Sequence, residues 1–151
     1  MRRDSEVRLI IERIAFLVAP ERREDLRRAF SSLLGPTCVE PGCISCHLYQ
    51  EAGNLDRFCL ETRWKTDQEL IRHLRSEHYR NVLILLEASS EPPLIEFHAV
   101  LETQGLELIR AVRQKDMRPD FSVGLRNSLG GKADAAPKEG PPGHVRPAWM
   151  L

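Results

Sequence analysis

Residues 42–70 read GCISCHLYQEAGNLDRFCLETRWKTDQEL. Gly42 leads into Cys43 to Gln50, a run with Ile, Leu and Tyr that suits a strand. Gly53-Asn54 supplies the turn, and Arg57 to Trp64 forms the returning strand of a hairpin. Thr66-Asp67-Gln68-Glu69 then has the spacing of a helix capping box. The threonine oxygen can take the amide three residues on, and Glu69 can reach back to the cap. The helix that follows carries Leu70, Ile71, Leu74, Val82, Leu83 and Leu86, with Ser76-Glu77 placed to restart it and Pro92-Pro93 to end it.

The flanks extend this pattern on both sides. Val7 to Val18 is β-branched and aromatic and reads as a strand. Pro20 opens a helix at a position where proline is tolerated. Leu26, Ala29, Phe30, Leu33 and Leu34 share one face of it, Glu24 and Arg28 can pair on the other, and Gly35-Pro36 is predicted to stop it. Leu94 to Thr103 is a fourth strand, and Gly105 to Arg113 a short helix or an extension. The order β-α-β-β-α-β is the ferredoxin-like split arrangement, an α+β fold with two helices on one face of a four-stranded antiparallel sheet. In the fourth strand Ile95, Phe97, Ala99 and Leu101 alternate with Leu94, Glu96, His98 and Val100, so both sides carry large apolar groups. Two helices cover one side only, and a second copy of the chain is the simplest cover for the other. A homodimer is therefore expected.

The 151 residues hold 22 Lys+Arg against 22 Asp+Glu, with 42% hydrophobic and 29% charged residues. That balance fits a globular domain and argues against a nucleic-acid binder, whose affinity comes mainly from neutralising phosphates. No apolar run approaches the roughly 20 residues of a membrane-spanning helix. The best, Leu9 to Val18, contains Glu12 and Arg13. Four cysteines without a signal-peptide pattern suggest reduced thiols and a cytoplasmic protein. The domain is expected over residues 6–113. Residues 114–151 hold five of the ten prolines and five of the nine glycines, and Gly130 to Pro147 has almost no large apolar residue, so a disordered tail is expected there.

Cys43 to His47 matches C-x-x-C-H, the attachment pattern of c-type haem. On a strand, cysteines three apart point to opposite faces, which argues against both haem attachment and a zinc site from Cys38, Cys43, Cys46 and His47. Buried free cysteine is the expected state. By the same alternation His47 and Tyr49 share a face with Ser45, opposite Ile44, Cys46 and Leu48, and the second set is expected to face the helices. Arg22, Arg23, Arg27 and Arg28 are interleaved with Glu21, Glu24 and Asp25 and read as a solvated helix face. No dinucleotide or phosphate-binding loop is present, and neither a cofactor nor a metal is expected.

The run Gly42 to Gln50, the run Phe58 to Thr66, and Glu69-Leu70, His73-Leu74 and Ser76 to Tyr79 after it resemble the antibiotic biosynthesis monooxygenase family. The shared features are a glycine-cysteine strand start, a tryptophan closing the third strand, and a histidine-leucine about nine residues later. The resemblance spans about residues 6–113. It implies a dimeric α+β barrel of two face-to-face sheets, each protomer keeping a small cavity between sheet and helices. It also implies oxidation of an aromatic phenol or quinol by molecular oxygen without metal or flavin, with haem degradation in one branch. Carried over by motif, the catalytic residues are Trp64 and His73. Cys46, Leu48, Leu60, Thr62, Phe30, His78 and Tyr79 are the expected substrate-binding residues. The relatives' first-strand asparagine has no counterpart: residues 6–18 offer Glu12 and Arg13. Where relatives carry a glutamate two residues before the tryptophan, this chain has Thr62, with Glu61 one position earlier. The competing expectation is a non-catalytic dimer that binds a small apolar ligand.

Overall fold

The computed structural model describes residues 9–114. Apart from Gln114, the expected tail lies outside them, as do residues 6–8 of the expected domain. The unit that ends at Gly105 contains β1 (Leu9–Leu17), α1 (Arg23–Cys38) after a single 3-10 turn at Pro20–Arg22, β2 (Cys43–Glu51), β3 (Asn54–Trp64), α2 (Asp67–Leu74), α3 (Glu77–Leu86) and β4 (Leu94–Val100). The strands form one antiparallel sheet in the order β2-β3-β1-β4, the ferredoxin-like α+β arrangement. Helix α4 (Leu106–Arg113) belongs to a second unit.

Alternation along β1 defines the two faces. Ile10, Glu12, Ile14 and Phe16 are buried, and the residues between them are more exposed. Residues directly opposite in a ladder point the same way. Ile14 pairs with Leu60 and Ile95, and Glu12 with Thr62 and Phe97, so these lie on the helix-covered face. Leu26 and Phe30 of α1 and Tyr79, Val82 and Leu86 of α3 pack on Ile14, Phe16, Phe58 and Leu60 as the main core. A smaller cluster, Ile10, Trp64 and Leu70, closes one end. On the open face lie Tyr49, His47, Cys59, Glu61, Arg63, Arg13, Glu96 and His98. There the side chains of Arg13 and Arg63 flank Glu61 at 3.5 and 3.1 Å.

Several local readings change. Helix α1 does not stop at Gly35-Pro36 but continues to Cys38. Proline removes only its own bond to the Ser32 carbonyl, on the exposed side. The Thr37 hydroxyl then donates to the Leu33 carbonyl at 2.9 Å and buries its own side chain, which holds the last turn on the core. Helix α3 ends at Leu86, before Pro92-Pro93, and β4 ends at Val100 instead of Thr103. Strand β3 begins at Asn54, three residues earlier than expected, because the turn is the tight Ala52-Gly53 pair. The restart at Ser76 is real, its hydroxyl accepting from the Tyr79 amide at 3.0 Å. On α1, Glu24 bridges both Arg27 and Arg28 at 2.6 and 2.9 Å, the solvated face anticipated for it.

The cysteine alternation fails for a specific reason. A bulge at Ile44 shifts the register of β2, so that Cys43 pairs with Trp64 and Cys46 with Thr62. Both cysteines therefore face the helices, and Ile44 is the residue turned out to solvent. His47 and Tyr49 do point away from the helices. Cys38 Sγ lies 3.8 Å from the Cys46 carbonyl, so three thiols gather at this corner. Burial pushes the Cys46 thiol up to about 12 and the Cys43 thiol up to about 11, which leaves neither a nucleophile at neutral pH. All four cysteines are free, and among the described residues no three His, Cys, Asp or Glu side chains group to hold a metal ion.

Candidate functional site

The end of β3 and the start of α2 are separated by Lys65 and Thr66, and the cap turns the helix back over the sheet. Thr66 Oγ1 accepts from the Glu69 amide at 3.3 Å and donates to Glu69 Oε2 at 3.0 Å. Gly42 makes this corner feasible. It has a φ of +84°, and the Glu69 side chain occupies the place a Cβ would take. The Gly42 carbonyl accepts from the Lys65 amide at 2.9 Å, so the β2 start, the β3 end and the α2 cap form one knot.

This corner brings Trp64 and His73 together. Trp64 is fully buried, and the His73 ring stacks on it with centroids 4.6 Å apart and an interplanar angle of 30°. Tyr79 presents an edge to His73 at 5.1 Å, and His78 lies 6.3 Å away. The Trp64 indole N–H donates to Thr62 Oγ1 at 2.8 Å. Thr62 donates to Glu12 Oε2 at 2.8 Å, and the Tyr79 hydroxyl donates to Glu12 Oε1 at 2.7 Å. Glu12 is fully buried and both its oxygens are engaged. Burial, reinforced by the neighbouring Glu12 charge, drives the Tyr79 phenol well above its ordinary value, so it stays a donor. His73 Nδ1 sits 2.8 and 3.0 Å from the two Glu40 carboxylate oxygens. His78 Nε2 meets Thr37 Oγ1 at 2.7 Å and the Leu33 carbonyl at 3.1 Å, which pins α3 to α1.

Of the expected site residues, Trp64, His73, Thr62, His78 and Tyr79 converge. Cys46 sits beside them in the ladder, opposite Thr62. Phe30, Leu48 and Leu60 do not line the Trp64–His73 corner. Phe30 packs on Phe16 at 4.5 Å in the main core, Leu60 faces Ile14, and Leu48 borders an open recess of about 180 Å³ with Phe58, Leu34 and Arg27. Leu48 and Leu60 share the helix-covered face but stand further along the strands, a distance that face alternation cannot report, and Phe30 lies on α1. Two functional candidates were given no role by the sequence reading, although Glu12 was noted there as a polar residue of the first strand. Glu12 was visible as a charge inside an apolar strand, which marks a buried partner. Glu40, in a loop, carried no signal.

Tyr79→Phe should destabilise the fold by about 1–3 kcal/mol, because it leaves a buried carboxylate oxygen without its donor. Urea unfolding checks this. A Tyr79→Phe protein as stable as the parent would show that the Glu12 contact is energetically idle.

Comparison with known proteins bears on the fold and the family. The family model described as antibiotic biosynthesis monooxygenase matches residues 9–83, which include β1, Trp64, His73 and Tyr79. This domain belongs to the antibiotic biosynthesis monooxygenase family. A solved protein from Mycobacterium tuberculosis is 26% identical, with a TM-score of 0.59, covering 64% of this chain and 99% of its own. A conserved protein from Methanosarcina mazei Go1 is 28% identical at a TM-score of 0.58, covering 62% of this chain and 93% of its own. A Nitrosomonas europaea protein bearing the family's name is 19% identical, with a TM-score of 0.58, covering 70% and 100%, and shares the fold. No curated protein matches the chain.

Proposed function

We propose that this family member is a monooxygenase that oxidises a small phenol or quinol with molecular oxygen and needs no cofactor. The observation that supports it most is the buried His73–Trp64 stack, in which His73 Nε2 makes no hydrogen bond among the described residues. A histidine with one free nitrogen beside an aromatic wall can take a phenolic proton. The anion would pass an electron to oxygen, and recombination of the radical pair would join the resulting superoxide to a ring carbon as a peroxide. Loss of the proton on that carbon then breaks the O–O bond, leaves one oxygen as a carbonyl and releases the other as hydroxide, which takes a proton to become water, so a phenol plus O2 becomes a quinone plus H2O. Trp64, Thr62, Tyr79 and His78 border the place of reaction. The catalytic roles fall to His73 and Trp64.

The protein is proposed to act as a homodimer through its open sheet face, in the cytoplasm. The residues that support this face are Tyr49 and Leu94, both about half exposed. Among the described residues no helix is long and apolar enough to cross a membrane. Sedimentation of the full chain at micromolar concentration should return about twice the chain mass, and a monomer would remove the dimer from this reading.

A second reading has one observation in its favour: Trp64 and His73 already fill the space against each other. An aromatic guest must then lie beside the stack, and the protein could hold a small apolar ligand without turning it over. Oxygen uptake with a panel of hydroquinones and anthrone-like phenols separates the two. Uptake with formation of the oxidised product supports the enzyme. Quenching of Trp64 fluorescence without uptake, measured after replacing the second tryptophan, Trp149, supports the binding module.

A further inference from the structure

Glu40 lies in the loop between α1 and β2, where nothing in the sequence marks it. Its backbone is held on both sides: its amide donates to the Thr37 carbonyl at 3.1 Å, and its carbonyl accepts from the Cys43 amide at 3.1 Å. Its carboxylate straddles His73 Nδ1 at 2.8 and 3.0 Å. The side chain of Glu40 is 23% exposed and that of His73 2%. A carboxylate offers no hydrogen to share, so Nδ1 must carry the proton. Turning the ring to exchange its nitrogens would break the stack on Trp64 and the T-shaped contact with Tyr79.

We propose that Glu40 is a positioning residue that fixes His73 in the tautomer protonated on Nδ1, leaving the Nε2 lone pair as the base. This rests on the phenol-oxidation reading for its catalytic meaning, and on geometry alone for the tautomer. In the step it serves, the phenolic proton moves to Nε2 and the electron pair stays on the phenolate oxygen. The imidazolium formed keeps its Nδ1–H on Glu40, whose negative charge offsets the new positive one. The residues around the ring are Trp64, His78 and Tyr79. Tyr79 is held as a neutral donor by Glu12, and the His78 ring nitrogen Nε2 is bound to Thr37 and Leu33, which leaves Glu40 as the only carboxylate among the described residues to contact the ring.

The test is nitrogen-15 NMR of the histidine side chains in the full-length protein, read on the neutral ring of His73, assigned by the loss of its signals in His73→Ala. The parent should show a protonated Nδ1 and an unprotonated Nε2. Glu40→Gln, whose amide oxygen still accepts, should keep that tautomer. Glu40→Leu, which cannot accept, should move most of the ring to the Nε2–H form. With a verified phenol substrate, kcat should fall on the order of 100-fold in Glu40→Leu and far less in Glu40→Gln, with KM nearly unchanged. An Nε2–H ring in the parent, or an unaltered Nδ1–H ring in Glu40→Leu, overturns the proposal. The parent spectrum decides the matter even if Glu40→Leu does not fold. The expected tautomers in a protein that oxidises no phenol would support the positioning role of Glu40 and sink the phenol-oxidation reading.

Discussion

Trp64→Ala is expected to lower the unfolding free energy by about 3–5 kcal/mol, the range for deleting a buried large aromatic. Three losses act together at this position. The indole leaves a cavity among Ile10, Leu70 and Cys43 that the sheet and α2 cannot close, since the capped corner at Gly42 and Thr66 holds them in place. The Thr62 hydroxyl loses the donor at 2.8 Å on one side while still bound to Glu12 on the other. His73 loses the ring it stacks on, itself a contact of about 0.5–1.5 kcal/mol. Urea unfolding followed by far-ultraviolet circular dichroism measures the sum without relying on tryptophan fluorescence. A loss under about 1 kcal/mol, the range of exposed sites, would mean that Trp64 does not seal the sheet end.

His73→Ala is expected to reduce turnover of a phenolic substrate by about 100- to 10,000-fold, the usual contribution of a positioned general base. The effect should appear in kcat more than in KM, because proton removal occurs in the transition state and the aromatic wall of Trp64 remains. Steady-state oxygen uptake checks it. The fold should survive, since His73 contributes one side-chain hydrogen bond, to Glu40, and its backbone continues to cap Ser76 through the carbonyl at 2.9 Å. A folded His73→Ala protein that oxidises the same phenol at the parent rate would remove His73 from the chemistry and leave Trp64 as a structural residue.

How far the site could be read from the chain differs residue by residue. Trp64 and His73 were named from the family motif, but that they would meet was legible from local signals. One closes a strand, the other lies two turns into a capped helix, and a single short connection joins them. Tyr79 and His78 came with the family motif that runs from Ser76 to Tyr79. Face alternation assigned Cys46 and Leu48 to the helix side correctly, but it has no measure of position along the strand. Leu48 therefore entered the expected site although it packs elsewhere. The bulge at Ile44 was invisible, since one extra residue in β2 shows only in its pairing with Trp64 and Arg63. That single residue brought Cys43 and Cys46 to one face.

Hydrophobic periodicity and turn chemistry are local, and they were sufficient for the element order, the capped corner and the ferredoxin-like sheet. What Glu12 and Glu40 do was decided only by tertiary packing. A buried carboxylate is acceptable only where donors from distant parts of the chain meet it. Glu12 finds Thr62 and Tyr79, 50 and 67 residues away, and Glu40 finds His73, 33 residues away. Such meetings depend on how helices close over a sheet, and no spacing along the chain encodes them.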